Sequence, residues 1–289
     1  MSKSVSFSQY SLFKNCQHQW YLTYVKGLRE SKPSIHLTFG TSFHETLQHY
    51  LQVMFEESGK KADEIDLNLY LKERMKENYT NTVGGKDHFS NAKEMTEFYE
   101  DGVAILDFFK KRRAEYFNKK NTKLVGIEIP IESKVTDDVD GVFIKGFIDF
   151  VLYHELSDTY TVFDIKTSTK GWGDKEKKDQ TKINQILLYK RYLSQQLNVS
   201  EDKINVMFFV VKRKVPAVSE YPIKRIQEFV PANGTRKVKE AYEDFAGFVN
   251  EVFTKEGAYK EQEYPKNVTY LCRWCPFDGK PELCDKKVL

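Results

Sequence analysis

The sequence has few cysteines, little net charge and no long apolar run, and each shortage removes a class of protein. Four cysteines among 289 residues are too few for a disulfide scaffold of this length. There is no N-terminal apolar region of the signal-peptide kind and no stretch near the roughly 18 apolar residues of a membrane span, so a cytoplasmic protein without membrane association is expected. A formal net charge of +3 does not by itself announce a nucleic-acid binder. No internal repeat, low-complexity linker or long Pro/Gly/Ser stretch marks a boundary, which makes one compact domain over residues 1–289 the simplest organisation. A G-x4-G-K-[ST] phosphate loop is also missing, so any ATP-driven unwinding must come from a partner.

What is present is aromatic and charged. The 21 Phe and 17 Tyr argue for a packed core, and 30% charged residues supply a polar surface. Residues 1–120 read as mainly helical. Ser42 and Glu45 stand at capping-box spacing ahead of Leu47, Tyr50, Leu51 and Met54, which places His44 in the first turn of a helix. Residues 64–78 and 92–118 are also helical in pattern. Runs rich in Val, Ile, Phe and Tyr at 124–135, 142–153 and 160–166 then predict strands. A helix over about Gln180 to Leu197, a strand at 204–211 and an amphipathic helix near 236–254 follow. The expected class is α/β: a helical part (1–120), a sheet-bearing core (121–215), and a C-terminal helix with a cysteine-bearing tail (216–289).

Chemistry concentrates in YTVFDIKTSTK, residues 160–170, where strand alternation puts Asp164 and Lys166 on one face beside Val162. A hairpin turn centred at Leu156 and Ser157 would set Asp149 of GFIDFVL directly opposite Asp164. Two facing carboxylates repel, and burying them unpaired costs several kcal/mol. A divalent cation resolves that conflict; Mg²⁺ and Mn²⁺ favour carboxylate and water ligands, and Mn²⁺ tolerates a neutral imidazole better. Lys166 would then serve as a fixed positive charge beside the reacting phosphate. Two acids, a lysine and a metal make a phosphodiester-hydrolysis site, whereas the plain alternative is a surface salt bridge between Asp164 and Lys166. Glu128 and Glu132 lack the apolar setting of Asp149 and stay outside this core set.

GFIDF and FDIKTS, with the upstream helix GTSFHETL and the downstream helix QILLY, resemble the RecB/AddB-like branch of the PD-(D/E)XK nuclease superfamily, which includes CRISPR-associated and phage exonucleases. The resemblance covers Ser6 to the final cysteine. It implies a restriction-endonuclease-like core, a central mixed β-sheet flanked by helices. It also implies Asp149 and Asp164 as metal ligands, Lys166 as the catalytic lysine, and His44 and the backbone carbonyl of Ile165 as further ligands. Gln185 and Tyr189 match the family's Q-x-x-x-Y element, which orients the site or contacts substrate. Read without the family, His44 is a polar helix residue, and Gln185 and Tyr189 are half-buried helix neighbours.

Cys16 stands far from Cys272, Cys275 and Cys284, yet the four together suffice for a [4Fe–4S] cluster or a tetrahedral Zn²⁺ site. Choosing iron rests on the resemblance, since iron–sulfur members of this branch take one cysteine before the core and three after it. The closing C-x8-C spacing is longer than the C-x5-C of many members. The function implied is a metal-dependent DNA nuclease, more an exonuclease than an endonuclease, acting on single strands or duplex ends in recombination, repair or phage DNA processing. The rivals are a non-cleaving DNA-binding or scaffold module, and a nuclease subunit beside a separate helicase or recombination protein. Lys212, Arg213 and Lys214 are candidates for tracking the DNA backbone, and Trp172 for stacking on bases.

Overall fold

A computed structural model describes residues 3–28, 30, 32–83, 88–216 and 223–285. In chain order its elements are β1 (Lys3–Val5), α1 (Phe7–Asn15), α2 (Gln17–Trp20), a π-helical turn (Tyr21–Val25), α3 (Ile35–Glu56), α4 (Gly59–Glu64), α5 (Leu67–Val83), α6 (Ala92–Tyr116), β2 (Thr122–Lys134), β3 (Val142–His154), β4 (Thr159–Ser168), α7 (Asp174–Lys177), α8 (Gln180–Leu197), β5 (Ile204–Lys212), β6 (Ile226–Phe229) and α9 (Thr235–Val252). Among the described residues the strands pair as a six-stranded mixed sheet in the order β1-β3-β4-β5-β6, with β2 also on β3. The helices and strands expected between residues 92 and 254 fall within a few residues of these bounds.

The chain divides into two compact units of interleaved segments: residues 1–32, 130–147 and 236–289 form one, and 33–129 with 148–235 the other. The pairings that build the first unit span most of the sequence, so neither unit is a continuous segment of the chain. There α1 meets α9: Tyr10 packs on Phe245 with ring centroids 5.4 Å apart, Phe13 on Phe248 at 5.0 Å, and the Tyr10 hydroxyl donates to Asp244. β1 pairs parallel with the opening residues of β3 in the same unit.

In the second unit, α3 buries Ile35, Phe39, Phe43, Leu47, Tyr50 and Met54 at helical spacing against α5, α6 and one face of the strands. Ser34 caps this helix by accepting from the His36 N–H. Helix α3 therefore begins a full two turns before Ser42, and His44 lies in its interior. The expected cap fails because IHLTFGT contains nothing that stops a helix; the Ser42 hydroxyl instead donates to Thr38 O, and Glu45 accepts from Asn78. Gly40 weakens the helix locally, but a Cβ there would stand 3.3 Å from Thr167 Oγ1, so glycine lets α3 lie close to β4.

Gly102 of α6 is tighter still: a Cβ would fall 2.5 Å from Leu71 Cδ2 and 3.0 Å from Phe39 Cε2. Gly102→Ala should therefore lower stability by about 1–3 kcal/mol through overpacking, despite alanine's better helix propensity. A urea midpoint equal to that of the unsubstituted protein would show that α5 gives way freely.

β3 and β4 form an antiparallel hairpin, β4 and β5 run parallel, and β5 and β6 are antiparallel. A parallel pair needs a crossover, and α8 supplies it between β4 and β5. Phe150 and Phe163, paired across the hairpin, stack 4.5 Å apart on the face that meets the helices, and Phe117 packs on both. Among the described residues, no helix is long and apolar enough to cross a membrane.

Candidate active site

The hairpin brings its two acids together in the expected register. Ladder pairs run from His154↔Thr159 to Phe150↔Phe163 around a turn at residues 155–158, so Asp149 and Asp164 follow as the next opposed residues. Their side chains occupy the sheet face opposite the Phe150–Phe163 stack. Asp149 Oδ2 accepts from the Ile165 backbone N–H at 2.5 Å and lies 3.7 Å from His44 Nδ1. Asp164 Oδ2 forms an ion pair with Lys166 Nζ at 2.8 Å, and among the described residues no donor meets it within hydrogen-bond angles.

Lysine 166 is itself held. Its Nζ donates to Gln185 Oε1 at 3.2 Å, and Gln185 Nε2 donates to the Tyr189 hydroxyl at 3.0 Å, one turn further along α8. The ammonium is thus fixed by a carboxylate on its own strand and an amide from the crossover helix. Side-chain exposures of 25% for His44 and 28% for Lys166, against 15% for Asp149 and 3% for Asp164, mean that the cluster opens to solvent past the histidine and the lysine.

The electrostatics follow from burial. It pushes the Asp149 carboxyl up to about 6, with Glu128 adding to the rise and Lys166 opposing it. Asp164 is likewise raised by burial to about 6, with Asp149 adding and Lys166 opposing. Burial, reinforced by the Lys166 ammonium, drives His44 down to about 4, which keeps its imidazole neutral. Burial also works against the Lys166 charge, but Asp164 and Asp149 outweigh it and hold the ammonium above the usual lysine range. Burial and the Asp164 charge push the Tyr189 hydroxyl up, so it stays protonated.

All seven residues singled out by sequence for this site, His44, Asp149, Asp164, Ile165, Lys166, Gln185 and Tyr189, are therefore neighbours. The donor set of two carboxylates, a neutral imidazole and the Ile165 backbone carbonyl has the chemistry that Mg²⁺ or Mn²⁺ prefers. The buried Asp164 oxygen without an aligned donor fits a cation in the same way. Among the described residues, no three His, Cys, Asp or Glu side chains are drawn to metal-ligand spacing.

Two glutamates left outside the core set part company. Glu132 pairs with Lys145 at 3.1 Å. Glu128, although exposed, instead lies where its charge acts on His44, Asp149 and Tyr189, and it accepts from Gln48 Nε2 at 2.6 Å. Its φ of +50° breaks the alternation of β2, so strand periodicity could not point it there. Gln48, one helical turn after His44, was the available signal.

Other expectations change. Arg213 is buried, ion-paired with Asp101 at 2.6 Å and Glu97 at 3.3 Å, its guanidinium 3.7 Å from the Phe98 ring centroid. Lys214 pairs with the same two acids. Both anchor β5's exit to α6 and are committed before any DNA arrives. Trp172 is 8% exposed, packed on Phe208 at 4.8 Å with its backbone N–H donating to Gln227, so it is a core residue of its unit.

In the other unit, Cys16, Cys272, Cys275 and Cys284 line one pocket, and none forms a disulfide. Cys16 Sγ accepts from the backbone N–H groups of Gln19 and Asn267, each at 3.5 Å. Burial raises the Cys275 thiol, and proximity to Cys16, Cys284 and Cys272 raises it further.

No curated relative matches the chain. The family model of the PD-(D/E)XK nuclease superfamily matches residues 4–280, through both units. The mixed α/β architecture, with its central mixed sheet and flanking helices, agrees with the restriction-endonuclease-like fold of that superfamily. With the match running over nearly the whole chain, the protein belongs to the PD-(D/E)XK nuclease superfamily.

Proposed function

We propose that the protein is a Mg²⁺- or Mn²⁺-dependent deoxyribonuclease acting as an exonuclease on single-stranded DNA or DNA ends, in DNA recombination, repair or phage DNA processing. The observation that carries the proposal is the pairing of half-buried Asp149 with buried Asp164, with Lys166 held beside them by Gln185. A module released from catalysis has no need for two costly buried carboxylates and a lysine aimed at the same space.

Asp149, Asp164, neutral His44 and the Ile165 carbonyl would hold the cation. When bound, it supplies an acidified water and offsets charge on a phosphoryl oxygen. Lys166 presents its ammonium to the phosphate as negative charge develops, and Gln185 keeps it from collapsing wholly onto Asp164. Tyr189 fixes the Gln185 amide so that its oxygen, not its nitrogen, faces the lysine. The four cysteines of the other unit supply a thiolate set for a [4Fe–4S] cluster or a Zn²⁺ ion, a reading supported by their shared pocket and the two N–H donors on Cys16.

Linear and circular DNA, each single- and double-stranded, incubated with Mg²⁺ or Mn²⁺ will test the reading. Linear strands should shorten from their ends while circles survive, and Asp164→Ala should be inert on all. Cutting of circles would replace exonuclease by endonuclease; cleavage by Asp164→Ala at the unsubstituted rate would remove the site.

A further inference from the structure

Lys212 ends β5 just before the committed Arg213 and Lys214, but its surroundings differ from theirs. Ladder partners share a sheet face, so the pairs Asp164↔Phe208, Lys166↔Val210 and Ser168↔Lys212 put Lys212 on the face that bears Asp164 and Lys166. It stands one strand across from Lys166 and two residues further along, roughly 5 Å to the side and roughly 7 Å ahead. Its stem is held there. A Cβ on Gly171 would fall 3.0 Å from Lys212 Cε, so the turn after β4 passes this close to the lysine because residue 171 is glycine. Gln227 pins the turn to β6, accepting from the Trp172 N–H at 2.8 Å and donating to the Trp172 carbonyl at 3.1 Å.

A second ammonium stands nearby. Lys177 of α7 lies 5.8 Å from the Phe229 ring centroid, and Phe229 is the ladder partner of Phe208 on the same face. Burial lowers the pKa of Lys212, and the Lys177 charge lowers it further. Among the described residues neither lysine is in an ion pair. The acids nearest Lys177 in sequence are engaged elsewhere: Glu176 accepts from the Gly173 N–H at 3.0 Å, and Asp179 pairs with Lys182 at 2.9 Å. Two neighbouring ammoniums repel, and an anion between them turns that repulsion into attraction. We propose that Lys177 and Lys212 form a phosphate subsite that holds the DNA strand one step away from the phosphate presented to Lys166. The inference rests on the nuclease reading of the acidic cluster and adds to it a path for the strand, across β5 toward α7.

Binding of a labelled single-stranded oligonucleotide between about 50 and 200 mM salt, on an Asp164→Asn background in EDTA so that nothing is cut, tests it. Each phosphate contact adds about 0.7 to the slope of log affinity against log salt on a single strand, so Lys177→Gln and Lys212→Gln should each flatten the slope by about that much, and the double variant by about 1.4. Lys212→Arg keeps the charge and should keep the slope. Lys123→Gln removes the same charge from an ion pair with Glu155, at the turn end of the hairpin, and should leave the slope unchanged. Equal slopes in Lys177→Gln, Lys212→Gln and the background, or equal flattening by Lys123→Gln, would overturn the proposal. Lys177 lies on a helix with no buried residue, so its arm stands if Lys212→Gln fails to fold. Oligonucleotides ending in a phosphate or a hydroxyl identify the group held: an internal diester gives the same flattening with both, a terminal monoester only with the first. In Mn²⁺, on a chain with Asp164 intact, the same lysine substitutions should raise KM more than they lower kcat, and this arm decides if the Asp164→Asn background binds no strand. If Mn²⁺ supports cutting while the lysine variants keep slope and KM, only the subsite fails; if neither Mg²⁺ nor Mn²⁺ supports cutting, the nuclease reading itself fails.

Discussion

Asp164→Asn should abolish cleavage, by about a thousandfold or more, while making the metal-free protein more stable at neutral pH. The two effects share one cause. Asp164 is 2% exposed, and burial holds its carboxyl near 6, above the ordinary 3.8. A carboxyl raised on folding contributes stability that is fully present below the unfolded value and is lost as pH rises through the folded one. For Asp164 and Asp149, which titrate as a coupled pair, that window lies between about pH 4 and pH 6. At pH 7 the metal-free fold therefore carries a destabilising charge, and asparagine removes it while keeping the shape. The expected gain is on the order of 2 kcal/mol at pH 7, shrinking toward zero by pH 4, where the natural carboxyl is already protonated. Urea unfolding in EDTA at both pH values measures it. A loss of stability at pH 7 would mean that the Lys166 ion pair outweighs the burial cost. Saturating Mn²⁺ should reverse the ranking, since only the site that keeps the Asp164 carboxylate gains fully from a bound cation.

How much of this was legible depends on whether the signal was local. The opposition of Asp149 and Asp164 follows from a short turn and strand alternation, both written within residues 149–164, and the ladder has that register. The α8 spacing of Gln185 and Tyr189 is equally local. His44 belongs to the cluster, but its helix begins earlier than the local sequence suggests, because a Ser and a Glu three apart read as a cap even inside a continuing helix that Ile35 and Phe39 already anchor. Glu128 was lost to a single left-handed residue, which periodicity averages away. The interleaved units were out of reach: Tyr10 and Asp244 join across 234 positions, and nothing near either residue announces the other. Arg213 and Trp172 erred in the opposite direction, for a basic or aromatic residue after a core strand looks exposed until Asp101 or Phe208 is found beside it.

The largest stability effect is expected at the cysteines. On the proposed four-thiolate metal site, Cys275→Ser should lower the melting temperature by on the order of 10 °C or more, because metal binding to such a set is folding free energy, about 10–16 kcal/mol for structural zinc sites. The packing of the surrounding segment argues for this dependence. Between Tyr264 and Phe277, both buried, the tail leaves Val268, Tyr270, Leu271 and Trp274 exposed, so little apolar burial fixes the segment that carries Cys272 and Cys275. Its hydrogen bonds are mostly short-range turns such as Cys275 N–H to Cys272 O at 2.8 Å. Crowding four thiols without a cation raises the Cys275 thiol, whereas a bound metal would favour the thiolate and turn that repulsion into attraction. Protein purified without oxygen should be brown with broad visible absorption; a colourless protein with stoichiometric zinc would reject iron and keep the four-thiolate site. An unchanged melting temperature in Cys275→Ser would reject both. Hydrolysis moves no electron, so the Mn²⁺ affinity of Cys275→Ser, measured below its melting transition, should equal that of the unsubstituted protein, and a matching loss of both would assign the cysteines a part in the chemistry rather than in holding the tail.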